Sequence, residues 1–212
     1  MKIYIVRHGE TEGNKQGLFQ GWLDTPLSEL GIKLAEITGD GLKDVKFDKV
    51  YASPLKRAYD TAKIIISKNN YPCNIIKEEK IKEVNMGTWE GQPFKGPKCK
   101  LNIDDVKLFN SNPFKMGGFE NGEKILDVCK RTQDFLKEIA TEDDINVLVA
   151  THGLALRAML NFLYEDKQNF WQGRVPYNCC VNIVEFKNNQ FKLLEKDKIY
   201  YSNDLVVDRY KL

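Results

Sequence analysis

Hydrophobic residues fall along the chain in short apolar runs that alternate with segments of helical periodicity. The runs are rich in β-branched residues and lack polar alternation, which is typical of strands buried on both faces of a sheet. They predict strands at residues 2–7, 48–52, 73–78 and 146–151. A later pair of alternating segments, 180–187 and 190–195, predicts a β-hairpin around Asn188-Asn189.

Helices are predicted between these strands, where apolar residues recur at helical spacing. Ser28 is a good N-cap for a helix over residues 28–43. Ser53-Pro54 predicts the start of another helix, which runs to about Lys68, because serine caps well and proline fits the first helical position. Further helices are predicted at residues 122–140 and from Gly153 to about Tyr164.

This alternation of strands and helices indicates an α/β fold with three α/β/α layers, in which helices cover both faces of a mostly parallel sheet. Residues 85–121 are irregular, rich in glycine and proline, and contain one predicted short helix at 101–111. We interpret this segment as an insertion over the active site, because its composition is not that of a disordered linker. With no repeat and no second boundary, residues 1–212 are predicted to form a single domain.

Composition narrows the possible partners and location. The net charge of +2 is nearly balanced, so nothing favours nucleic acid or a membrane as partner. No apolar segment approaches the ~18 residues of a membrane span, and the N-terminal run is too short for a signal peptide. We therefore expect a cytoplasmic monomer or homodimer, with its five cysteines as free thiols.

The two histidines of the chain occupy matched positions. His8 and His152 each follow a predicted buried strand, and each precedes a glycine. Ligands of open α/β sheets bind beyond the carboxyl ends of the strands. Either histidine alone could be structural, but the matched pair indicates one functional site.

Two arginines suggest which ligand this site binds. Arg7 directly precedes His8, and Arg57 lies in the first turn of a predicted helix. Arginine supplies fixed, charged donors that match phosphate oxygens, although Arg57 alone could be a solvated helix residue. Glycines allow close approach of the backbone, and helix N-termini favour anions. Together these features predict a site for one phosphoryl group.

The motifs of metal and nucleotide sites are missing from the sequence. The histidines lack His-x-x-x-His or Glu-x-x-His spacing, and no Gly-x-x-x-x-Gly-Lys-Ser/Thr loop occurs. We therefore expect no metal and no cofactor. A leaving alkoxide still needs a general acid, and Glu83 and Glu90 are both candidates that spacing alone does not separate.

Several sequence blocks, in order over residues 2–160, carry a family resemblance. The blocks are Arg7-His8-Gly9-Glu10-Thr11 continuing to Asn14, residues 21–31, residues 51–58, residues 83–91, Asn121-Gly122-Glu123 and Thr151-His152-Gly153. They resemble, in the same order, the motifs of the histidine phosphatase superfamily, the phosphoglycerate mutase-like proteins. Lys124 stands where that family usually has serine.

The resemblance implies catalytic roles for particular residues. His8 would be the nucleophile that becomes phosphorylated, and Arg7, Arg57 and His152 would complete the phosphate site. Glu83 would be the general acid and later the base that activates water. The physics is consistent, because nearby arginines lower the pKa of a histidine and also stabilise charge on the transferring group.

The resemblance also implies binding roles around the nucleophile. Asn14, with the backbone near Gln20 and Gly21, would help to bind phosphate or substrate. Gly153 would offer a backbone N–H to a phosphoryl oxygen. Glu90 would then be a structural residue of its loop.

Three functions compete within this resemblance. We favour a metal-independent phosphomonoester hydrolase that acts on a small metabolite of the sugar phosphate, phosphoglycerate or α-ribazole phosphate type. A phosphoglycerate mutase is the first alternative, but mutases usually carry a longer, arginine-bearing insertion, whereas residues 92–121 contain no arginine. A catalytically weak phosphate-binding regulatory module is the second alternative, and such modules typically lose a histidine or arginine of the site.

The insertion also carries lysines and phenylalanines whose roles the sequence leaves open. The lysines are interpreted as solvated charges, with a grip on an acidic substrate as the alternative; they are Lys95, Lys98, Lys100, Lys107 and Lys115. The phenylalanines are interpreted as a small core within the insertion, with the lining of a pocket for a larger substrate as the alternative; they are Phe94, Phe109, Phe114 and Phe119.

Overall fold

A central sheet organises the computed structural model, which describes residues 1–207. Its strands are β1 (Lys2–Arg7), β2 (Lys49–Ala52), β3 (Ile75–Lys77), β4 (Asn146–Thr151), β5 (Val181–Lys187) and β6 (Gln190–Lys198). They form one six-stranded sheet in the order β3-β2-β4-β1-β5-β6. The first four strands run parallel, and β5 and β6 add an antiparallel hairpin at one edge. The prediction of a mostly parallel sheet is confirmed.

Seven α-helices surround this sheet in the described part of the chain. They are α1 (Glu12–Gln16), α2 (Glu29–Leu42), α3 (Lys56–Ser67), α4 (Ile103–Ser111), α5 (Pro113–Met116), α6 (Ile125–Ile139) and α7 (Gly153–Leu160). Short 3₁₀ turns lie at Glu79–Ile81, Gly87–Trp89, Asn161–Leu163 and Asn203–Leu205. Among residues 1–207, no helix has the length and apolar character needed to cross a membrane.

The helices divide between two faces because neighbouring strand residues point to opposite sides of the sheet. Ile3 and Ile5 of β1 pack in one core cluster with Phe135 of α6. Val6, next along the same strand, packs in another cluster with Leu42 of α2. The three-layer α/β/α architecture is therefore confirmed, with two hydrophobic cores separated by the sheet.

The two predicted helix caps have opposite outcomes. Ser28 caps α2 as predicted, since its hydroxyl accepts the N–H of Gly31 at 3.0 Å. The predicted start at Ser53-Pro54 is wrong, because α3 begins at Lys56 after an N-cap, Leu55, that offers no side-chain bond. The Ser53 hydroxyl instead lies 2.8 Å from a ring nitrogen of His152.

Other elements of the structure also differ from the prediction, in where they begin or in whether they were predicted. Helix α6 begins at Ile125 rather than near residue 122, because its N-cap Lys124 has an extended backbone, with φ −79° and ψ 145°. Helix α1 was not predicted, although Thr11 and Asn14 form a capping box at its start. The hairpin prediction is confirmed: β5 and β6 pair across the turn at residues 188–189.

Candidate active site

The two histidines meet because the strands before them are neighbours. Strands β1 and β4 pair in parallel with Arg7 opposite Thr151, so the next residue of each lies at the same edge of the sheet. The ring centroids of His8 and His152 are 5.2 Å apart. Both side chains are buried. The matched sequence positions therefore do become one site.

The contacts of His8 fix its tautomer. Its Nδ1 lies 2.7 Å from the carbonyl oxygen of Gly9. A carbonyl can only accept a hydrogen bond, so Nδ1 carries the proton and Nε2 keeps its lone pair. The backbone N–H of His8 donates to the Thr151 carbonyl at 2.9 Å, which ties this residue to the end of β4.

His8 lies where its charged form is disfavoured. Burial lowers its pKa well below the usual value of 6.5, and the positive charges of Arg57 and Arg7 lower it further. The hydrogen bond to the Gly9 carbonyl opposes this effect only in part. The arginines act as the sequence predicts, but burial is the larger cause. His8 is therefore neutral near pH 7.

His152 lies behind His8 and is fully buried. Burial lowers its pKa well below the usual value, and the charge of Arg57 adds to this effect. Its Nε2 is 2.8 Å from the Ser53 hydroxyl, whereas its Nδ1 has no hydrogen-bond partner among the described residues. Sequence reasoning missed Ser53 as a site residue because serine before proline resembles a helix cap.

Both arginines are held by acceptors of the chain. Arg57 is 1% exposed, which excludes its interpretation as a solvated residue. Its guanidinium donates to the carbonyls of Gly21 at 2.6 Å and Leu23 at 3.0 Å, and to the Asp24 carboxylate at 3.2 Å. Arg7 is also buried, and it donates to the carbonyl of Pro176.

The two candidate glutamates have different surroundings. The carboxylate of Glu83 accepts the backbone N–H groups of Leu154 at 3.1 Å and Ala155 at 2.9 Å, in the first turn of α7. Glu90 instead accepts from the backbone of Trp22 at 2.8 Å and Met86 at 3.1 Å. Glu83 lines the cavity described below, and Glu90 is not among the described residues that line it.

A cavity of about 660 Å³, which includes the part open to solvent, collects most of the predicted site residues. We call one part of its lining the phosphate end; it comprises Arg7, His8, Asn14, Gln20, Gly21, Arg57, Glu83 and Gly153. His152 packs against His8 beneath this lining rather than in it. Gly21 has a φ of +45°, and a Cβ there would lie 2.6 Å from a carboxylate oxygen of Glu90.

The rest of the lining is hydrophobic and was largely missed by the sequence interpretation. We call it the apolar wall; it comprises Leu18, Phe19, Met86, Phe94, Phe109, Asn110, Leu154, Trp171 and Val175. Of the insertion phenylalanines, two line this wall, and Phe114 and Phe119 pack behind it in the same core cluster. The insertion lysines are exposed, and no lysine of residues 1–207 lines the cavity.

An ion pair that sequence reasoning did not single out, between Arg131 and Glu123, holds the chain segment that carries Glu83. Arg131 donates to the carbonyls of Lys80 at 2.8 Å, Lys82 at 2.7 Å and Glu83 at 3.0 Å. The same guanidinium pairs with Glu123 at 2.9 Å. Glu123 belongs to a recognised sequence block, and Arg131 lies about two helical turns further along, which is the signal that could have found it.

The fold and this cavity are those of an α/β enzyme that acts on a small anionic ligand. The chain belongs to the histidine phosphatase superfamily (branch 1), whose family model matches residues 3–198.

Individual relatives align with most of the chain. Phosphoserine phosphatase 1 of Hydrogenobacter thermophilus is 30% identical over 213 residues, which cover 100% of this chain and 99% of that protein. The phosphoglycerate mutase of Schizosaccharomyces pombe is 34% identical over 164 residues, 74% of this chain and 77% of that one. The solved structure of Bacillus stearothermophilus YhfR matches with a TM-score of 0.85 and 27% identity, covering 93% of this chain and 97% of its own.

Proposed function

We propose that this chain is a phosphatase that hydrolyses phosphomonoesters of small metabolites through a phosphohistidine on Nε2 of His8. The observation that carries the proposal is the state of His8, a buried neutral histidine with Nδ1 bound to Gly9 and two arginines beside it. The family match and the phosphatase name of one relative support hydrolysis as the reaction.

In the first step, the lone pair of His8 Nε2 forms a bond to phosphorus while the ester P–O bond breaks. The departing ester oxygen takes the proton of Glu83, which acts as the general acid. Arg7 and Arg57 stabilise the charge that spreads over the phosphoryl oxygens in the transition state. Because both guanidiniums are already held by chain acceptors, little reorganisation is needed.

His152 has a place in the same step. The Ser53 hydroxyl accepts the backbone N–H of Leu55, so its own proton can go to Nε2 of His152, and Nδ1 of the neutral ring then carries the proton. A buried donor without an acceptor costs ~1–3 kcal/mol. A phosphoryl oxygen on His8 would supply that acceptor, because the two rings are 5.2 Å apart and Nδ1 of His152 has no described partner. Ser53 keeps the His152 ring in position through its bond to Nε2.

In the second step, a water molecule gives a proton to the Glu83 carboxylate as its oxygen bonds to phosphorus. The N–P bond breaks, its electron pair returns to Nε2 of His8, and inorganic phosphate is released. Glu83 then holds the proton needed for the next cycle. Asn14, Gln20, Gly21 and the backbone of Gly153 are proposed to bind phosphate or substrate, since all of them line the cavity.

Phosphoglycerate mutase is the second candidate, favoured by the 34% identity to a relative of that name. A mutase has to hold a substrate carboxylate and return the phosphoryl group to a second hydroxyl. Among residues 1–207, the only lysine or arginine side chains that line the cavity are Arg7 and Arg57. We therefore favour the phosphatase.

Assays of the purified protein in the presence of EDTA would test the proposal. The substrates are p-nitrophenyl phosphate and 3-phosphoglycerate, the latter with and without 2,3-bisphosphoglycerate. Phosphate release in EDTA is expected, since arginines and not a metal stabilise the charge in this mechanism. Interconversion of phosphoglycerates without phosphate release would establish a mutase instead. Activity lost in EDTA and restored by a divalent metal would contradict the mechanism.

A further inference from the structure

The distribution of charge in the cavity bears on the substrate. Within residues 1–207, the charged side chains of the lining are Arg7, Arg57 and Glu83, and all three belong to the phosphate end. The apolar wall has a single polar side chain, the amide of Asn110. The part of a substrate beyond its phosphate therefore meets hydrocarbon and one neutral hydrogen-bonding group.

The aromatic rings of the wall hold one another in place. The ring of Phe19 packs on Phe94 and Phe109 with centroids 5.9 and 5.8 Å apart. Phe109 packs edge-on against Trp171 at 5.5 Å. These edge-to-face contacts favour a preformed wall over one that adapts to each substrate.

The polar N–H group of Trp171 is bonded within the wall itself. The indole N–H of Trp171 donates to the carbonyl of Phe109 at 2.9 Å, so the ring presents only carbon to the cavity. A carboxylate or ammonium group placed against this wall would lose water without gaining a partner of opposite charge, which is strongly unfavourable. An aromatic or alkyl group placed there would gain contact area.

We propose that the cavity selects phosphomonoesters whose alcohol part is uncharged and aromatic or otherwise apolar, with Asn110 binding one neutral polar group. This inference rests on the proposed phosphatase function and narrows its substrate class. It separates the chain from relatives named for phosphoserine and phosphoglycerate, because both of those substrates carry a carboxylate beside the ester.

Paired substrates would test this selectivity on the unaltered protein. Benzyl phosphate and phosphoserine are both esters of primary alcohols, and only the second carries charges beyond its phosphate. We expect kcat/KM for benzyl phosphate to exceed that for phosphoserine and 3-phosphoglycerate by about 100-fold or more. An equal or higher kcat/KM for either charged substrate would overturn the inference.

A charge added to the wall should change this ratio. Asn110→Arg places a guanidinium against the substrate, and we expect 3-phosphoglycerate to gain about 10-fold relative to benzyl phosphate. Ser111→Arg is the matched control, because Ser111 is the next residue of α4 and is exposed. The control should leave the ratio unchanged, and equal shifts in both variants would contradict the inference.

The outcome for p-nitrophenyl phosphate distinguishes a failure of the proposed phosphatase function from a failure of the proposed substrate class. If the protein releases no phosphate from any ester, the proposed function itself fails. If it hydrolyses p-nitrophenyl phosphate and also prefers phosphoserine to benzyl phosphate, only the proposed substrate class fails.

A separate observation concerns the Glu83 segment, residues 80–85. Arg131 binds three carbonyl oxygens of that segment, those of Lys80, Lys82 and Glu83, while Glu123 pairs with Arg131 and accepts the backbone N–H of Asn85 at 2.8 Å. Arg131 and Glu123 therefore bind the backbone on both sides of Glu83. The geometry points to Arg131 and Glu123 as positioning residues for the proposed general acid.

Leaving-group dependence would test this role. Arg131→Gln should slow benzyl phosphate about 10- to 100-fold, because its alkoxide needs a well-placed proton donor. The first step with p-nitrophenyl phosphate, measured as kcat/KM or as the nitrophenol burst, should slow much less, since its leaving group departs without protonation. Lys130→Gln, at an exposed neighbouring position on α6, is the control and should change neither rate. Equal losses of kcat/KM on both esters would leave Arg131 only a structural role and overturn the assignment.

Discussion

The phosphate end and the apolar wall share one cavity but are built differently. At the phosphate end, His8 follows a central strand directly, and backbone groups of β4 and Gly9 fix its position. The rings of the wall come from Phe19, from the 85–121 segment and from Trp171, and they are held by packing against one another. The nucleophile is thus fixed directly by the sheet, whereas most of the substrate wall lies on segments outside it.

This difference implies that the two functions can be altered separately. A change at the phosphate end should affect every substrate, because all phosphomonoesters present the same group there. A change in the wall should affect substrates according to what is attached to the phosphate.

His8→Ala should reduce turnover of all phosphomonoesters by on the order of 10³-fold or more, because it removes the nucleophile. Circular dichroism should show a retained fold. Phosphate release from p-nitrophenyl phosphate and benzyl phosphate measures the effect. Substantial residual activity on either ester in a folded variant would rule out the covalent step.

Glu83→Gln should slow benzyl phosphate by about 100-fold or more, because the variant cannot protonate an alkoxide. p-Nitrophenyl phosphate should lose much less in its first step, and a burst of nitrophenol would mark slow hydrolysis of the phosphoenzyme. Glu90→Gln is the matched control. If it reproduced this pattern and Glu83→Gln did not, the acid would be Glu90.

Phe109→Leu should weaken the wall without touching the phosphate end. The variant loses an aromatic ring of the cavity lining and the edge-on contacts that hold Phe19 and Trp171 in place, so KM for benzyl phosphate should rise several-fold. The rate with a small ester such as methyl phosphate should change little. A parallel loss on both esters would show that the two parts of the cavity are not independent.

Protein stability should fall as pH drops below about 6.5, the pKa of an unfolded histidine. Burial lowers the pKa of His8 and His152 in the folded chain, so the unfolded state binds more protons in that range. Each histidine can contribute up to ~1.4 kcal/mol per pH unit between its folded and unfolded pKa values. The free energy of unfolding, measured with urea at several pH values, should depend less steeply on pH in His152→Asn than in the unaltered protein. Identical slopes would contradict the lowered pKa of His152.

The sequence predicts best those parts of the fold and the site that depend on contacts between residues near one another in the chain. His8 and His152 could be found because each adjoins a strand whose apolar run is visible in the sequence. Ser53 was misinterpreted because a serine before proline serves equally well as a helix cap or as a partner for a buried ring. The fold class follows from strand and helix periodicity and needed no contact information.

The wall could not be predicted in the same way. Phe109 and Trp171 are 62 positions apart, and only the folded chain brings the indole N–H to the Phe109 carbonyl. The choice between Glu83 and Glu90 likewise depends on the N-terminus of α7, which donates to Glu83 across more than 70 positions. Contacts of this range leave no periodic signal in the sequence.

The most direct measurement is to trap the phosphoenzyme. The protein would be mixed with p-nitrophenyl phosphate, quenched in alkali within the first turnover, digested and examined by mass spectrometry. We predict one added phosphoryl group on the peptide that contains His8, stable to alkali and lost in acid, and none in His8→Ala. Rapid hydrolysis with no phosphorylated peptide at early times, or a phosphoryl group on another residue, would contradict the mechanism.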